Sequence, residues 1–195
     1  MKIPGYLALT AITLVAGIAL GGTYSLTKDR IDDQARIAAE KARSAVFTKA
    51  DEFSAYPIEK DGDIDWCYQA LAEGEVLGYV AQTTVNGFGG EIEIIAGVDT
   101  EGKFTGITVG GSSFSETAGL GEKTKHEAFT SQYAGKAAPL RVIKAGEAAA
   151  DDTIDAVTAA TISSTAVTDG ANTIAEFITG IQQEHTGENG AGGDA

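Results

Sequence analysis

The chain is poor in the residues that carry most side-chain chemistry. It has one cysteine, Cys67, among 195 residues, so no intrachain disulfide can form. A lone thiol between Trp66 and Tyr68, in an apolar stretch, reads as a core side chain. Thiol catalysis needs an activating base, and neither His126 nor His185 lies near Cys67 in sequence. Two histidines and one cysteine are too few for a His/Cys metal centre, so no metal ligand and no catalytic acid, base or nucleophile is assigned. Cations are scarce as well: 14 Lys and Arg stand against 28 Asp and Glu, a net charge of -14. Such a surface repels phosphate backbones and argues against a nucleic-acid partner.

Charge is missing altogether from Ile3 to Thr27. About 20 apolar residues in a helix cross a bilayer, so this run predicts a transmembrane anchor over residues 1-28. Tyr6 and Tyr24 fall near its two ends, where amphipathic rings favour the headgroup level. The competing reading is a cleaved signal peptide with Ala19-x-Gly21 at the cleavage site. Against it, the apolar run exceeds a usual signal core, and Lys2 alone makes a thin basic region. Lys28, Arg30 and Arg36 follow the run, and by basic residues alone the remainder of the chain would lie on the cytoplasmic side.

Beyond the anchor, the chain has the size of one domain. Residues 29-50 predict a stalk helix: Ile31, Ala35, Ala38, Ala39, Ala42 and Val46 recur at helical spacing. Residues 51-65 are polar and read as a loop or short strands. Strand-like runs then alternate with turn residues: WCYQALAE, EVLGYVAQTTV, EIEIIAGVD and KFTGITVGG. This rhythm predicts an antiparallel meander with one wet face. A short strand, PLRVIKAG, comes later. From about Ala159 to Gln183, the apolar positions Ile162, Ala166, Val167, Ala171, Ile174, Phe177, Ile178 and Ile181 predict a long helix. The domain spans residues 51-184, and the Gly-rich residues 185-195 read as a flexible tail. The expected fold class is α+β: a single N-terminal transmembrane helix, then an antiparallel sheet with a long C-terminal helix.

Three stretches stand out. In Asp155-Ala-Val-Thr158-Ala-Ala-Thr161-Ile-Ser163-Ser164, hydroxyls gather where the last helix begins. A helix start offers free N–H groups and a positive dipole end, which suit a phosphate. Ordinary N-capping by Asp155 or Thr158 explains the same residues. Ser115-Glu116-Thr117-Ala118-Gly119-Leu120-Gly121 is either a flexible loop or a ligand clamp whose glycines allow close approach. Asn86-Gly-Phe88-Gly-Gly90 is a hairpin signal, with Phe88 either exposed at its tip or a lid on something planar.

Together the three stretches resemble the FMN-binding domain of the G subunit of Rnf electron-transport complexes, and the related C subunit of the sodium-pumping NADH:quinone reductase. The family pattern Asp-x-x-(Ser/Thr)-Gly-Ala-Thr is similar to Asp155, Thr158, Ala160 and Thr161, with Ala159 where the family often has Gly. Its Glu-Thr-Pro-Gly-Leu-Gly pattern is similar to residues 116–121, with Ala118 in place of Pro. The resemblance covers nearly the whole chain. It implies FMN held covalently as a phosphoester on Thr161, with Asp155 in the same motif and Thr158, Ser163 or Ser164 near the phosphate. It further implies that Glu116, Thr117, Gly119, Leu120 and Phe88 border the flavin ring. The implied partners are the other subunits of an Rnf-type ferredoxin:NAD+ oxidoreductase that moves Na+ or H+, and a flavin transferase during maturation. The implied location is the plasma membrane, with the domain outside the cytoplasm, against the count of basic residues. The alternatives are a C-type chain of the quinone reductase and a free-standing extracytoplasmic FMN protein.

Overall fold

The computed structural model describes residues 4–58 and 62–190. The first element, α1 (Gly5–Val46), is one unbroken helix of 42 residues. The stalk helix therefore continues directly from the apolar run, as its sequence reads, and ends at Val46. It is long and apolar enough to cross a membrane. Thr10, Thr13, Thr23 and Thr27 donate their hydroxyls to carbonyls four residues earlier in the helix. That keeps four polar side chains satisfied within an apolar helix, as a hydrocarbon surround requires.

The chain divides into two compact units, residues 1–40 and 41–195. The second is built on five antiparallel strands in sequential order: β1 (Glu52–Tyr56), β2 (Trp66–Ala72), β3 (Glu75–Asn86), β4 (Glu91–Asp99) and β5 (Phe104–Gly110). The meander is as expected, and the stretch expected as loop or short strands contributes its first edge, β1. A short helix α2 (Glu127–Thr130) comes next. Two three-residue strands, β6 (Arg141–Ile143) and β7 (Thr153–Asp155), then pair in parallel. The expected short strand in PLRVIKAG contains β6; its parallel partner β7 is not legible in the sequence, because three residues are too few to show a period. The last helix, α3 (Thr161–Gly190), starts two residues later than expected. Its backbone carries on through residues 185–190, where composition predicts a flexible tail; residues 191–195 lie outside the described residues.

Alternation along the strands explains the main core. Ile92 and Ile94 of β4, Phe104 of β5 and Ile174 and Ile178 of α3 share one cluster and are at most 1 % exposed. Each such apolar side chain contributes roughly 1.5–3 kcal/mol by leaving water. The opposite face of the sheet is not simply wet. Val46 and Phe47 are buried there with Ala70, Val80 and Ile95, and the Arg43 guanidinium lies 4.1 Å from the centre of the Tyr68 ring and 5.4 Å from that of Trp66.

Two side-chain amides hold the β6–β7 pair in place. Gln132 accepts from the Asp155 N–H at 2.7 Å and donates to the Asp155 carbonyl. Asn172 of α3 does the same to Leu140, at 2.8 Å in both directions. Each amide copies the pairing of a neighbouring strand: Asn172 holds the chain entering β6, and Gln132 holds the end of β7, which leads into the Thr161 loop.

Candidate functional site

A cleft of about 380 Å³ opens where three loops meet the start of α3. Its lining comes from the β3–β4 hairpin tip (Phe88), the loop after β5 (Glu116, Thr117, Leu120, Gly121) and residues 159–163. The volume falls in the range of small-molecule sites, roughly 300–1,000 Å³. The three sequence stretches, far apart along the chain, therefore converge. No Lys, Arg or His belongs to the lining.

The loop into α3 sets how the site is presented. Ala159 has φ 61°, in the left-handed region, and that explains why glycine suits this position. The glycine-to-alanine departure thus bears on the backbone rather than simply adding a methyl. Ala160 is buried, and its carbonyl accepts from the Ser164 N–H at 3.0 Å, the first bond of the helix. The N–H groups of Thr161, Ile162 and Ser163 come before that bond and have no intrahelical partner. They carry the positive end of the helix dipole and face the charge an anion would bring.

The hydroxyls are unequal. Thr161 is the first residue of α3 and lines the cleft. Among the described residues nothing bonds its hydroxyl. Thr158 is exposed and does not line the cleft. Ser164 is fully buried and used locally: it accepts from the Val157 N–H at 3.0 Å and donates to the Ala160 carbonyl at 2.9 Å. Ser163 is buried and donates to Glu116 Oε2 at 2.8 Å. The Asp155 side chain is exposed in β7 and outside the lining, so its place in the motif is held through its backbone, by Gln132.

Glu116 sits between the loops with both oxygens in use. Its Oε1 accepts from the N–H groups of Phe88, at 2.7 Å, and Gly89, at 3.1 Å. Thr117 lines the cleft, and its carbonyl accepts from the N–H groups of Leu120 and Glu122. Gly119 has φ 75° and makes the turn between them without itself lining the cleft. Phe88, Ile162 and Leu120 form an apolar rim at 69, 59 and 39 % exposure. Spacing alone puts Ile162 first in the core stripe of α3; it belongs to the rim instead.

Cys67 takes no part. It is 2 % exposed, and burial pushes its thiol up to about 12. Sequence reasoning missed Gln132 and Asn172 as supports of the site. Each amide acts on a backbone 23 or 32 residues away, and no local pattern signals such a bond.

Comparison with known proteins bears on this geometry. The model of the FMN-binding domain family matches residues 87–176, a span that begins at the hairpin tip and contains every residue lining the cleft. The chain is 34% identical over 181 residues to the G subunit of the Na+-translocating ferredoxin:NAD+ oxidoreductase complex of Acetobacterium woodii, covering 85% of this chain and 86% of that one. The chain belongs to the G-subunit family of Rnf-type ion-translocating oxidoreductase complexes. Another member, the G subunit of the proton-translocating ferredoxin:NAD+ oxidoreductase complex of Clostridium ljungdahlii, is 31% identical, with 88% of each chain covered. Among solved structures, the C subunit of the Na+-translocating NADH-quinone reductase of Parabacteroides distasonis is 22% identical, with a TM-score of 0.48 over 58% of this chain and 62% of that one.

Proposed function

We propose that this Rnf G-type chain is a membrane-anchored electron-transfer flavoprotein of an ion-translocating ferredoxin:NAD+ oxidoreductase, with FMN held as a phosphoester on Thr161 Oγ1. The observation that carries the reading is Thr161 itself. Of the four hydroxyls in the motif, it alone lines the cleft with no partner among the described residues, beside free helix N–H groups. Membership of the family and the match to the FMN-binding domain supply the cofactor class. A flavin transferase makes the ester during maturation, and the other subunits of the complex pass electrons to and from this one.

The residues fit the group. The three free N–H groups at the start of α3 meet the phosphate without a Lys or Arg in the lining. Phe88, Leu120 and Ile162 offer an apolar surround to a planar ring, and Thr117 lies beside them. FMN supplies electron transfer in single or paired steps; the protein binds, orients and shields it. Electron transfer needs no side-chain acid, base or nucleophile here. By analogy with the family the domain lies outside the cytoplasm, and α1 supplies the anchor.

Intact mass of the chain produced with its flavin transferase tests the reading. The wild-type chain is expected to carry one FMN, and Thr161→Ala none. Unmodified wild-type protein refutes covalent attachment, and flavin kept by Thr161→Ala moves the ester to Thr158 or a nearby serine.

A further inference from the structure

The Glu116 carboxylate touches all three loops that build the cleft. Through Oε1 it holds two successive N–H groups of the β3–β4 hairpin tip, and through Oε2 it holds the Ser163 hydroxyl in the first turn of α3. The partners are 28, 27 and 47 residues away in sequence. Neighbouring glycines leave the space it occupies. A Cβ on Gly87 would collide with Oε1, and one on Gly121 with Oε2. A carboxylate with three donors has most of its accepting capacity filled, so little remains for a ring edge. Charge-assisted bonds of this kind are roughly twice as strong as neutral ones.

We propose that Glu116 is a positioning residue: a strut that fixes the Phe88 hairpin tip against the first turn of α3, so that Phe88 and Thr161 face each other across the cleft before any cofactor arrives. This role differs from the ring contact implied by resemblance. It rests on the flavin reading only for its consequence, efficient loading of Thr161; the strut itself is a property of the flavin-free chain. The conservative variant separates geometry from charge. In Glu116→Gln, Oε1 keeps both N–H bonds, and Nε2 donates to the Ser163 hydroxyl, reversing that bond without breaking the strut. Glu116→Ala removes it.

The test uses the full-length chain in detergent, made without the transferase, with single-residue amide hydrogen exchange as the readout. Glu116→Ala is expected to lose at least tenfold protection at the Phe88 and Gly89 amides, and Glu116→Gln to keep it. Co-produced with the transferase, Glu116→Gln is expected to load FMN like the wild type and Glu116→Ala several-fold more slowly. Should Glu116→Ala fold poorly, Ser163→Ala cuts only the α3 arm. It is expected to keep both amides protected while slowing loading several-fold. The strut is overturned if Glu116→Ala leaves both amides protected, if Ser163→Ala loads at the wild-type rate, or if Glu116→Gln behaves like Glu116→Ala, which would make the charge the active feature. Failure of the flavin reading shows separately, as wild-type protein without FMN.

Discussion

Two helix ends meet the same sheet from opposite faces, and only one makes a site. On one face α1 ends: the Val46 carbonyl accepts from the Thr105 hydroxyl at 2.5 Å, and Arg43 stands in the last turn. The negative end of that helix is answered by a donor and a cation. On the other face α3 begins, with its first N–H groups unanswered by the helix and an unbonded hydroxyl on its first residue. The closed end fastens a helix to the sheet; the open end leaves a positive, hydrogen-bonding pole beside a cleft. Packing follows the same division. Against α3 the helix gives way, at Gly170, where a Cβ would collide with Ile94 and press on Val85. Against α1 the sheet gives way at Gly97, where a Cβ would collide with the Thr105 hydroxyl and press on Phe47 and the Val46 carbonyl; Gly106 lies beside it, in ordinary contact distance of the Val46 backbone.

The largest effect is expected on the side where the helix carries the glycine. Gly170→Val drives a branched side chain into Ile94, Val85 and Thr83. Overpacking of this kind costs about 1–3 kcal/mol, and the upper end is expected because β4 is held on both sides by neighbouring strands. Chemical unfolding of the full chain reads the loss. A neutral result would mean that α3 sits further from the sheet than the fold requires.

Thr105→Val tests the closed end. It removes the donor from the Val46 carbonyl and leaves that acceptor against apolar neighbours, a cost of about 1–2 kcal/mol. FMN loading is expected to stay complete, because the change lies on the face away from the cleft. If loading falls with stability, the two faces are coupled and the division between fastening and function fails.

Much of this contrast was legible in the sequence, for reasons of period and length. The meander showed because its strands alternate and its turns carry Gly or Asn, and α3 showed because its apolar stripe runs through many turns. The three stretches at the cleft were legible as chemistry: hydroxyls before a helix, a Gly-rich acidic loop, a hairpin tip. What each side chain does there was not. Glu116 reads as a ligand contact until its three partners are seen, Ser164 reads as a phosphate contact until it is found buried against its own loop, and Ile162 fits the core stripe yet lies on the rim. The strut spans tens of residues, and period carries no information about such bonds. The seat of Val46 and Phe47 was hidden for the same reason: Gly97 and Gly106 look like ordinary strand residues until another element lies on them.

Ala159 gives the smallest stability effect and the finest test of the open end. Only two non-glycine residues among those described have positive φ, Ala159 at 61° and Glu73 at 52°. Glu73 lies in the exposed two-residue turn between β2 and β3; Ala159 lines the cleft two residues before Thr161. A non-glycine residue held there costs about 1 kcal/mol or more, and glycine relieves it while adding some entropy to the unfolded chain. Both Ala159→Gly and Glu73→Gly are therefore expected to raise stability by up to about 1 kcal/mol, or about 2 °C in the unfolding midpoint for a chain of this size. Loading of Thr161 should remain complete in both, since neither change removes the Thr161 hydroxyl or the helix N–H groups beside it. If Ala159→Gly gains stability but loads slowly, while Glu73→Gly loads normally, the strained alanine is what holds the Thr161 hydroxyl toward the cleft. Rigidity of the loop would then join the open helix end as a requirement of the site.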